Sequence, residues 1–365
     1  MAKEEPEPRS LLPLLTSPQE ATPEWLTAVL QDGGYLQTGR VTNVVHETGS
    51  SVHAHNARLQ LSYSNEAQGD CPSALFLKIS PQGTPFGDSE VRYYTQIAPR
   101  IPQPPMPHCY HAHYDLVRQQ YHLLLADVSN THSTNRAKTP TLAQAGKTVV
   151  AMARLHAAWW AQPDLPEVGS WPETAVIDRY VQSALEGIQP LLAETLEQIS
   201  PEWVELIQLI AERHGDQMKV RAADTNMMTF IHGDPNPGNI FSPHNEVDGQ
   251  ALLIDHQPFP ESLTIWLGVS DLAYMIVHWW EVERRRAWEQ PLLRRYHQAL
   301  QKLGITHYTF AQLWHDYRLC AMQSLYIVAA WCADPDEQQE FRWVWWPQLQ
   351  KTMTACLDLD CADLL

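Results

Sequence analysis

Positive charge, paired cysteines and long apolar runs are all scarce in this 365-residue sequence. Lys and Arg number 25 against 42 Asp and Glu, which gives a formal net charge of −17 at pH 7. Because so acidic a chain repels phosphate backbones, we expect no nucleic-acid partner. Hydrophobic residues make up 44% of the sequence, so the chain is apolar enough to fold and long enough to bury two cores.

The six cysteines are scattered and form no Cys-x-x-Cys pair. This spacing excludes a zinc knuckle and a dense disulfide framework, and it fits a reducing compartment. The amino terminus lacks an apolar stretch of signal-peptide length, and no later run reaches the roughly 18 apolar residues that a membrane span needs. We therefore expect a soluble, cytoplasmic protein with no membrane partner.

Strand-like patterns dominate the first third of the sequence, and helical periodicity dominates the rest. The capping-box spacing of Ser17 and Glu20 predicts a leading helix. Short β-prone runs follow from Val41, and a turn at residues 49–51 separates the first two. From Leu142 onward, apolar residues recur at helical spacing. The pattern predicts an α+β protein of two lobes, a small antiparallel-sheet N-lobe over residues 1–128 and a larger helical C-lobe over residues 129–365.

The helical half is interrupted once, between Phe230 and Asp255, and the residues that can carry chemistry lie there. His232-Gly233-Asp234 is followed by Asn239 five positions after the aspartate, and Asp255 ends a later apolar run. Phosphoryl transfer requires a group that accepts the proton of an attacking hydroxyl, together with oxygen ligands for Mg²⁺. We assign the role of catalytic base to Asp234, and metal binding to Asn239 and Asp255.

This arrangement resembles the catalytic loop of kinases, and most closely that of the aminoglycoside phosphotransferase and choline kinase-like family, including its ecdysteroid kinase-like members. The resemblance rests on His232-Gly233-Asp234, on Ile254-Asp255-His256-Gln257 and on Asp271-Leu272-Ala273. It implies a protein-kinase-like two-lobed fold and an ATP- and Mg²⁺-dependent kinase that phosphorylates a hydroxyl of a small molecule. Gly233 stands where protein kinases carry an arginine, and no Ala-Pro-Glu segment follows, so we expect no protein substrate.

The resemblance to kinases also calls for a lysine on the third strand, paired with a glutamate on the next helix, to hold the α and β phosphates of ATP. Lys78 and Glu90 stand at these places. Lys78 lies inside an apolar run, and a charge in that setting is normally paired because an unpaired buried charge is costly.

Two further segments take their roles from the resemblance alone. It implies that Gly49, Ser50 and Ser51 cover the phosphates with backbone N–H groups and hydroxyls. It also implies that Leu125 and Asp127 belong to the hinge, whose main-chain groups meet the adenine.

The sequence leaves the acceptor open. The carboxyl-terminal helices are rich in tryptophan, and aromatic faces bind cations, stack on rings or fill cores. Aminoglycoside-like, choline-like and steroid-like acceptors all fit. Two other functions also stay open: a pseudokinase that holds ATP without catalysis, and a helical binding module.

Overall fold

The computed structural model describes residues 12–51, 54–256 and 262–365, with the side chains of Ser50 and Ser51 left aside. The chain divides into two compact units. The first, called the sheet unit, comprises Met1–Pro99 and Pro107–Thr131. The second, called the helical unit, comprises Arg100–Met106 and His132–Leu365. The segment of high proline content that precedes residue 107 is therefore shared between them.

The sheet unit is built on one antiparallel sheet of five strands in the order β2-β3-β5-β7-β6. Strands β1 and β4 form a separate two-stranded ribbon. The described strands of this unit are β1 Leu36–Thr38, β2 Val41–Ser51, β3 Ala54–Tyr63, β4 Gln68–Gly69, β5 Ala74–Ile79, β6 Cys109–Asp115 and β7 Gln120–Ala126. Helix α1 (Pro23–Asp32) packs on the sheet with Trp25, Leu26, Val29 and Leu30 buried. The short helix α2 (Ser89–Arg92) continues into a π-helical turn, Tyr93–Ile97.

The leading helix begins later than the capping-box spacing predicted. Its N-cap is Thr22, whose hydroxyl accepts a hydrogen bond from the N–H of Trp25. The side chain of Ser17 makes no capping hydrogen bond, and Ser17 precedes a short 3₁₀ turn instead of the helix. The Glu20 carboxylate accepts hydrogen bonds from the N–H and the hydroxyl of Thr16. A helix could not run on from Ser17 because Pro23 has no N–H to donate and would clash inside it.

The first hairpin is longer than predicted. Strand β2 continues through Gly49, Ser50 and Ser51, and its backbone register places Gly49 opposite Asn56 and Ser51 opposite Ala54. The turn predicted at residues 49–51 is therefore wrong, since a ladder of cross-strand pairs from Val41 onward keeps these residues in the sheet. Residues 52 and 53 lie outside the described residues.

The helical unit contains the longer helices. Those described are α3 Leu142–Trp159, α4 Leu165–Val168, α5 Thr174–Leu185, α6 Ile188–Thr195, α7 Pro201–Ala222, α8 Val269–Ala273, α9 Val282–Lys302, α10 Phe310–Ala330, α11 Pro335–Glu340 and α12 Arg342–Asp358. Helix α3 packs against α9, and α10 packs against α8 and α12. Trp159, Trp266 and Trp345 are fully buried in this core. None of the helices in the described part of the chain combines the length and the apolar character that a membrane crossing demands.

Short strands interrupt the helices, and those in the described part of this unit are β8 His132–Thr134, β9 Met228–Phe230, β10 Ile240–Pro243, β11 Leu252–Leu253 and β12 Ile265–Leu267. Strand β9 pairs with β12, and β10 lies between β8 and β11. These pairings fix both ends of the loop between β9 and β10 and bring the end of β11 beside it. The loop carries the His232-Gly233-Asp234 motif.

Candidate active site

Asp234 is the centre of a hydrogen-bond network in the loop between β9 and β10. Its carboxylate accepts hydrogen bonds from the Nδ2 group of Asn236 at 3.1 and 3.0 Å, from Nδ2 of Asn239 at 3.1 Å and from the hydroxyl of Tyr274 at 2.9 Å. Three donors from two segments therefore fix the position of one carboxylate. Groups that react in enzymes are oriented in this way.

The electrostatic setting of Asp234 raises its pKa above the ordinary value of 3.8. Burial is the largest cause, and the nearby charge of Asp255 adds to it, whereas the hydrogen bonds from Asn236 and Tyr274 act in the opposite direction. A carboxylate whose pKa is raised is a better proton acceptor, because basicity follows pKa. Burial also raises the pKa of Tyr274 far above its usual range, so this hydroxyl stays protonated and donates a hydrogen bond to Asp234.

Asn239 joins Asp234 to the segment that carries Asp255. Its Nδ2 donates to the backbone and the side chain of Asp234, and its backbone carbonyl accepts the N–H of Ile254 at 3.0 Å. Asp255 has a φ of +66°, in the left-handed region that non-glycine residues rarely occupy. Such backbone conformations persist where the surrounding structure imposes them and concentrate at functional sites.

Asn239 in this loop and Asp255 after β11 carry oxygens of the kind that bind a divalent cation. Because Nδ2 of Asn239 is committed to Asp234, its Oδ1 is the amide atom left for a ligand, and Asp255 supplies a carboxylate. Carboxylate and amide oxygens are the ligands that Mg²⁺ accepts, usually alongside phosphate oxygens and water. No group of three His, Cys, Asp or Glu side chains suited to a metal exists in the described ranges.

Two histidines brace the loop through their ring nitrogens. His232 donates from Nε2 to the carbonyl of Ile254 at 2.9 Å and accepts the N–H of Asp234 on Nδ1 at 3.3 Å. His256 donates from Nδ1 to the carbonyl of His232 at 2.8 Å. Burial lowers the pKa of His256 to about 3, so its ring stays neutral at neutral pH.

Asp271 anchors the backbone of the motif. Its carboxylate accepts the N–H of His232 at 2.8 Å and that of Gly233 at 2.9 Å. It also bonds Nε2 of His156 at 3.0 Å, and Nδ1 of His156 lies 2.8 Å from the hydroxyl of Tyr296. Gly233 has a φ of +83°, which glycine adopts without strain. The buried Asp271 therefore holds the turn that presents Asp234.

In the sheet unit, Lys78 and Glu90 are brought together. The ammonium nitrogen of Lys78 on β5 lies 2.7 Å from Oε2 of Glu90 on α2. The side chain of Lys78 is 12% exposed and that of Glu90 is 2% exposed. An ion pair this poorly solvated is held firmly, since separating it would leave a buried charge unpaired.

Of the other predicted nucleotide-binding residues, Leu125 and Gly49 lie on strands of the same sheet and Asp127 follows one of its strands. Leu125 is a buried residue of β7, opposite Phe76 on β5. Asp127 follows β7, and its carboxylate contacts Arg58 at 3.4 Å and accepts the N–H of Ser129 at 2.9 Å. Gly49 lies on β2 as an exposed residue, with open space where a Cβ would be. The side chains of Ser50 and Ser51 lie outside the described residues.

A cleft of about 100 Å³ lies next to the motif in the helical unit. Tyr180, Trp266 and Tyr274 contribute aromatic surface, and Ser270 and Gln323 contribute neutral polar groups. The hydroxyl of Ser270 is buried without a hydrogen-bond partner among the described residues. Asp271 is the acidic residue in the described lining, and both of its oxygens are engaged as given above. The cleft thus offers apolar and neutral polar contacts.

Sequence analysis missed Asn236 and Tyr274 as partners of Asp234. Tyr274 lies three residues after Asp271, a spacing that places both on one side of a helix, and a π-helical turn begins at Tyr274. The three-residue spacing from Asp271 could therefore have pointed to Tyr274 as a residue near the motif. For Asn236 no comparable signal existed, because an asparagine two residues after an aspartate is ordinary turn composition.

The fold of the chain is protein-kinase-like, as predicted. A crystal structure of choline kinase from Cryptosporidium parvum Iowa II matches with a TM-score of 0.55 at 12% identity, over 94% of this chain and 93% of that one. The GDP complex of a variant of aminoglycoside 2′-phosphotransferase IIIa matches with a TM-score of 0.52 at 11% identity, over 86% of this chain and 92% of that one. At such identities these likenesses define the fold alone.

The sequence profile of the ecdysteroid kinase-like family matches residues 58–307, which is more than half of the chain. The chain therefore belongs to the ecdysteroid kinase-like family, and the family resemblance inferred from the motifs is confirmed. No curated protein matches the chain.

Proposed function

We propose that the protein is an ATP- and Mg²⁺-dependent phosphotransferase that moves the γ-phosphoryl group of ATP to a hydroxyl of a small molecule. One observation carries this proposal: Nδ2 of Asn239 donates a hydrogen bond of 3.1 Å to the carboxylate of Asp234, while the backbone of Asn239 is bonded to Ile254, the residue before Asp255. Membership of a family described as kinase-like supports it, as does a structural relative that is itself named a choline kinase.

In this proposal Asp234 is the catalytic base. The acceptor oxygen forms a bond to the γ-phosphorus, the bond from that phosphorus to the bridging oxygen of ADP breaks, and the proton of the acceptor passes to Asp234. Tyr274 and Asn236 hold the carboxylate in place by the hydrogen bonds described above. The raised pKa of Asp234 favours this proton transfer.

The remaining residues bind the nucleotide. Oδ1 of Asn239 and the carboxylate of Asp255 would hold Mg²⁺, which neutralises charge on the phosphates. Lys78, fixed by Glu90, would bind the α and β phosphates. These proposed roles follow from the resemblance to kinases. The ion pair between Lys78 and Glu90 supports the role of Lys78.

The chemistry of the cleft favours a neutral acceptor. An aminoglycoside carries several positive charges and calls for acidic residues, whereas the described lining has Asp271 alone, with both oxygens engaged. Aromatic and aliphatic surface with a few hydroxyl and amide groups suits part of a hydroxylated apolar molecule, since a cleft of about 100 Å³ holds a ring or an edge of such a ligand rather than the whole of it. We propose an uncharged, steroid-like alcohol rather than a polycation.

The test is ADP production with Mg-ATP and a panel of hydroxylated compounds that includes neutral polycyclic alcohols, choline and aminoglycosides. A neutral alcohol should stimulate ADP release, and chelation of Mg²⁺ should abolish it. The isosteric change Asp234→Asn should lower kcat on the order of a thousandfold, because the proton acceptor is lost. Asp248→Asn makes the same change at an exposed acid and should leave kcat unaltered.

Other outcomes would favour the other functions. A rise in melting temperature with Mg-ATP, without turnover of any acceptor, would indicate a pseudokinase, because a ligand that binds only the native state raises its stability. The absence of any shift would favour a helical binding module. Full activity of Asp234→Asn would refute the assignment of the base.

A further inference from the structure

Tyr121 touches the phosphate-binding ion pair, although no motif singles it out. Its hydroxyl donates a hydrogen bond of 2.6 Å to Oε2 of Glu90, the same oxygen that Lys78 contacts at 2.7 Å. Tyr121 is fully buried. One carboxylate oxygen therefore receives a neutral donor and a cationic donor in a largely buried site, where hydrogen bonds to a charged group are strong.

The sheet explains why these groups meet. Lys78 on β5 lies opposite Leu123 on β7, and Tyr121 is two residues from Leu123. Because side chains alternate between the two faces of a strand, Tyr121 and Lys78 project from the same face of neighbouring strands. Glu90 reaches this face from α2. The contact between tyrosine and carboxylate is thus fixed by strand register.

Helix α2, which carries Glu90, and strand β7, which carries Tyr121, differ in how firmly they are held. Helix α2 has four residues and no side-chain N-cap, so it does little by itself to fix the glutamate side chain. Strand β7 lies between β5 and β6 in the five-stranded sheet. Tyr121 is further tied to the residue that follows β5, since its N–H donates to the hydroxyl of Ser80 and its carbonyl accepts the N–H of Ser80, both at 2.9 Å.

We propose that Tyr121 is a positioning residue that locks the carboxylate of Glu90 and thereby keeps the Lys78 ammonium in one place for the phosphates of ATP. The inference rests on the proposed function. Without the phenol hydroxyl, Glu90 regains rotamer freedom and Lys78 follows it, because the ion pair moves as a unit. The loss should appear in the kinetics of the nucleotide and not in those of the acceptor.

The experiment compares Tyr121→Phe, which keeps the ring and removes the hydroxyl, with the matched control Tyr63→Phe. Tyr63 lies in the same unit, and its hydroxyl donates to the carbonyl of Pro72 at 2.8 Å. Tyr121→Phe should lower kcat/KM for ATP about tenfold, the worth of one hydrogen bond to a charged group. Its KM for the acceptor should stay within about twofold of wild type. Tyr63→Phe should leave both constants unchanged.

A merely structural role would reduce the active fraction and lower kcat without changing the KM for ATP, and this result would overturn the inference. A second check uses Glu90→Gln. If Tyr121 acts through Glu90, Tyr121→Phe should have less than about a twofold effect in the Glu90→Gln background. Equal effects in both backgrounds would also overturn it.

Failure of the proposed function gives a different result. A wild-type protein that shows neither ADP production nor a melting-temperature rise with Mg-ATP would refute the phosphotransferase and the role of Tyr121 together. A wild-type rise that Tyr121→Phe reproduces in full would refute the role of Tyr121 alone.

Discussion

His214, on α7, is fully buried, and its protonation should govern part of the acid stability of the protein. Nδ1 lies 3.0 Å from the hydroxyl of Tyr326, and Nε2 lies 2.9 Å from the carbonyl of Leu319. Burial lowers the pKa of His214 from 6.5 to about 4. The folded protein therefore keeps a neutral ring at pH values where an unfolded chain has a charged one.

The sign of the effect follows from proton uptake. As the pH falls, the unfolded chain binds a proton near pH 6.5 and the native protein only near pH 4, so acidification across this window favours unfolding. Since one pKa unit corresponds to about 1.4 kcal/mol, His214 should cost about 3 kcal/mol of unfolding free energy between pH 7 and pH 4. About 1 kcal/mol of this should fall between pH 6 and pH 5.

The assay is urea unfolding followed by tryptophan fluorescence, for which the chain has 14 tryptophans, at intervals from pH 7 to pH 4. His214→Gln retains a donor and an acceptor but does not titrate. As the pH falls from 7 to 4, wild type should lose about 3 kcal/mol of unfolding free energy relative to His214→Gln. His315→Gln is the control, because it makes the same exchange at an exposed position on α10. A difference between wild type and His214→Gln that stays constant with pH would refute the reasoning.

Two further predictions concern the site and the packing. In wild type the hydrogen bond from Tyr274 lowers the pKa of Asp234, so its removal in Tyr274→Phe should raise that pKa and move the acid limb of the pH profile of kcat/KM to higher pH. Tyr180→Phe, in the same cleft, should leave the acid limb in place. An unmoved limb in Tyr274→Phe would contradict the pairing of Tyr274 with Asp234. Gly187→Ala should lower the free energy of unfolding by about 3 kcal/mol or prevent folding, since its Cβ would lie 1.7 Å from a backbone carbonyl of α10. Thermal melting checks this against Gly49→Ala, where the Cβ meets open space, and equal melting temperatures for the two variants would argue against the close approach.

The residues that carry charge in the proposed reaction were predictable because their chemistry restricts where they can stand. A lysine inside the apolar run of β5 demands a partner, and Glu90 is that partner. Asp234 and Asn239 are five residues apart in one loop, so their proximity required no knowledge of distant contacts. For this pair, the short distance along the chain was enough to predict that the two side chains are close in space.

The ends of helices and strands were less predictable where two neighbouring sequence patterns favour different end points. Ser17 and Thr22 both precede a proline, and burial of the apolar face that begins at Trp25 favours the later start. The end of β2 is set by its register with β3, in which Val44 lies opposite Leu61. A local turn signal at Gly49 cannot override a long ladder of hydrogen bonds.

By itself, the sequence determined the composition of the site: an aspartate, an asparagine and a second aspartate in fixed order, and a lysine that needs a glutamate. Only the tertiary structure decided which groups support them, because Tyr274 meets Asp234 across 40 positions of the chain and Tyr121 meets Glu90 across 31. Hydrogen bonds between side chains so far apart depend on register and packing, and these are set when buried surfaces come together rather than by any local pattern.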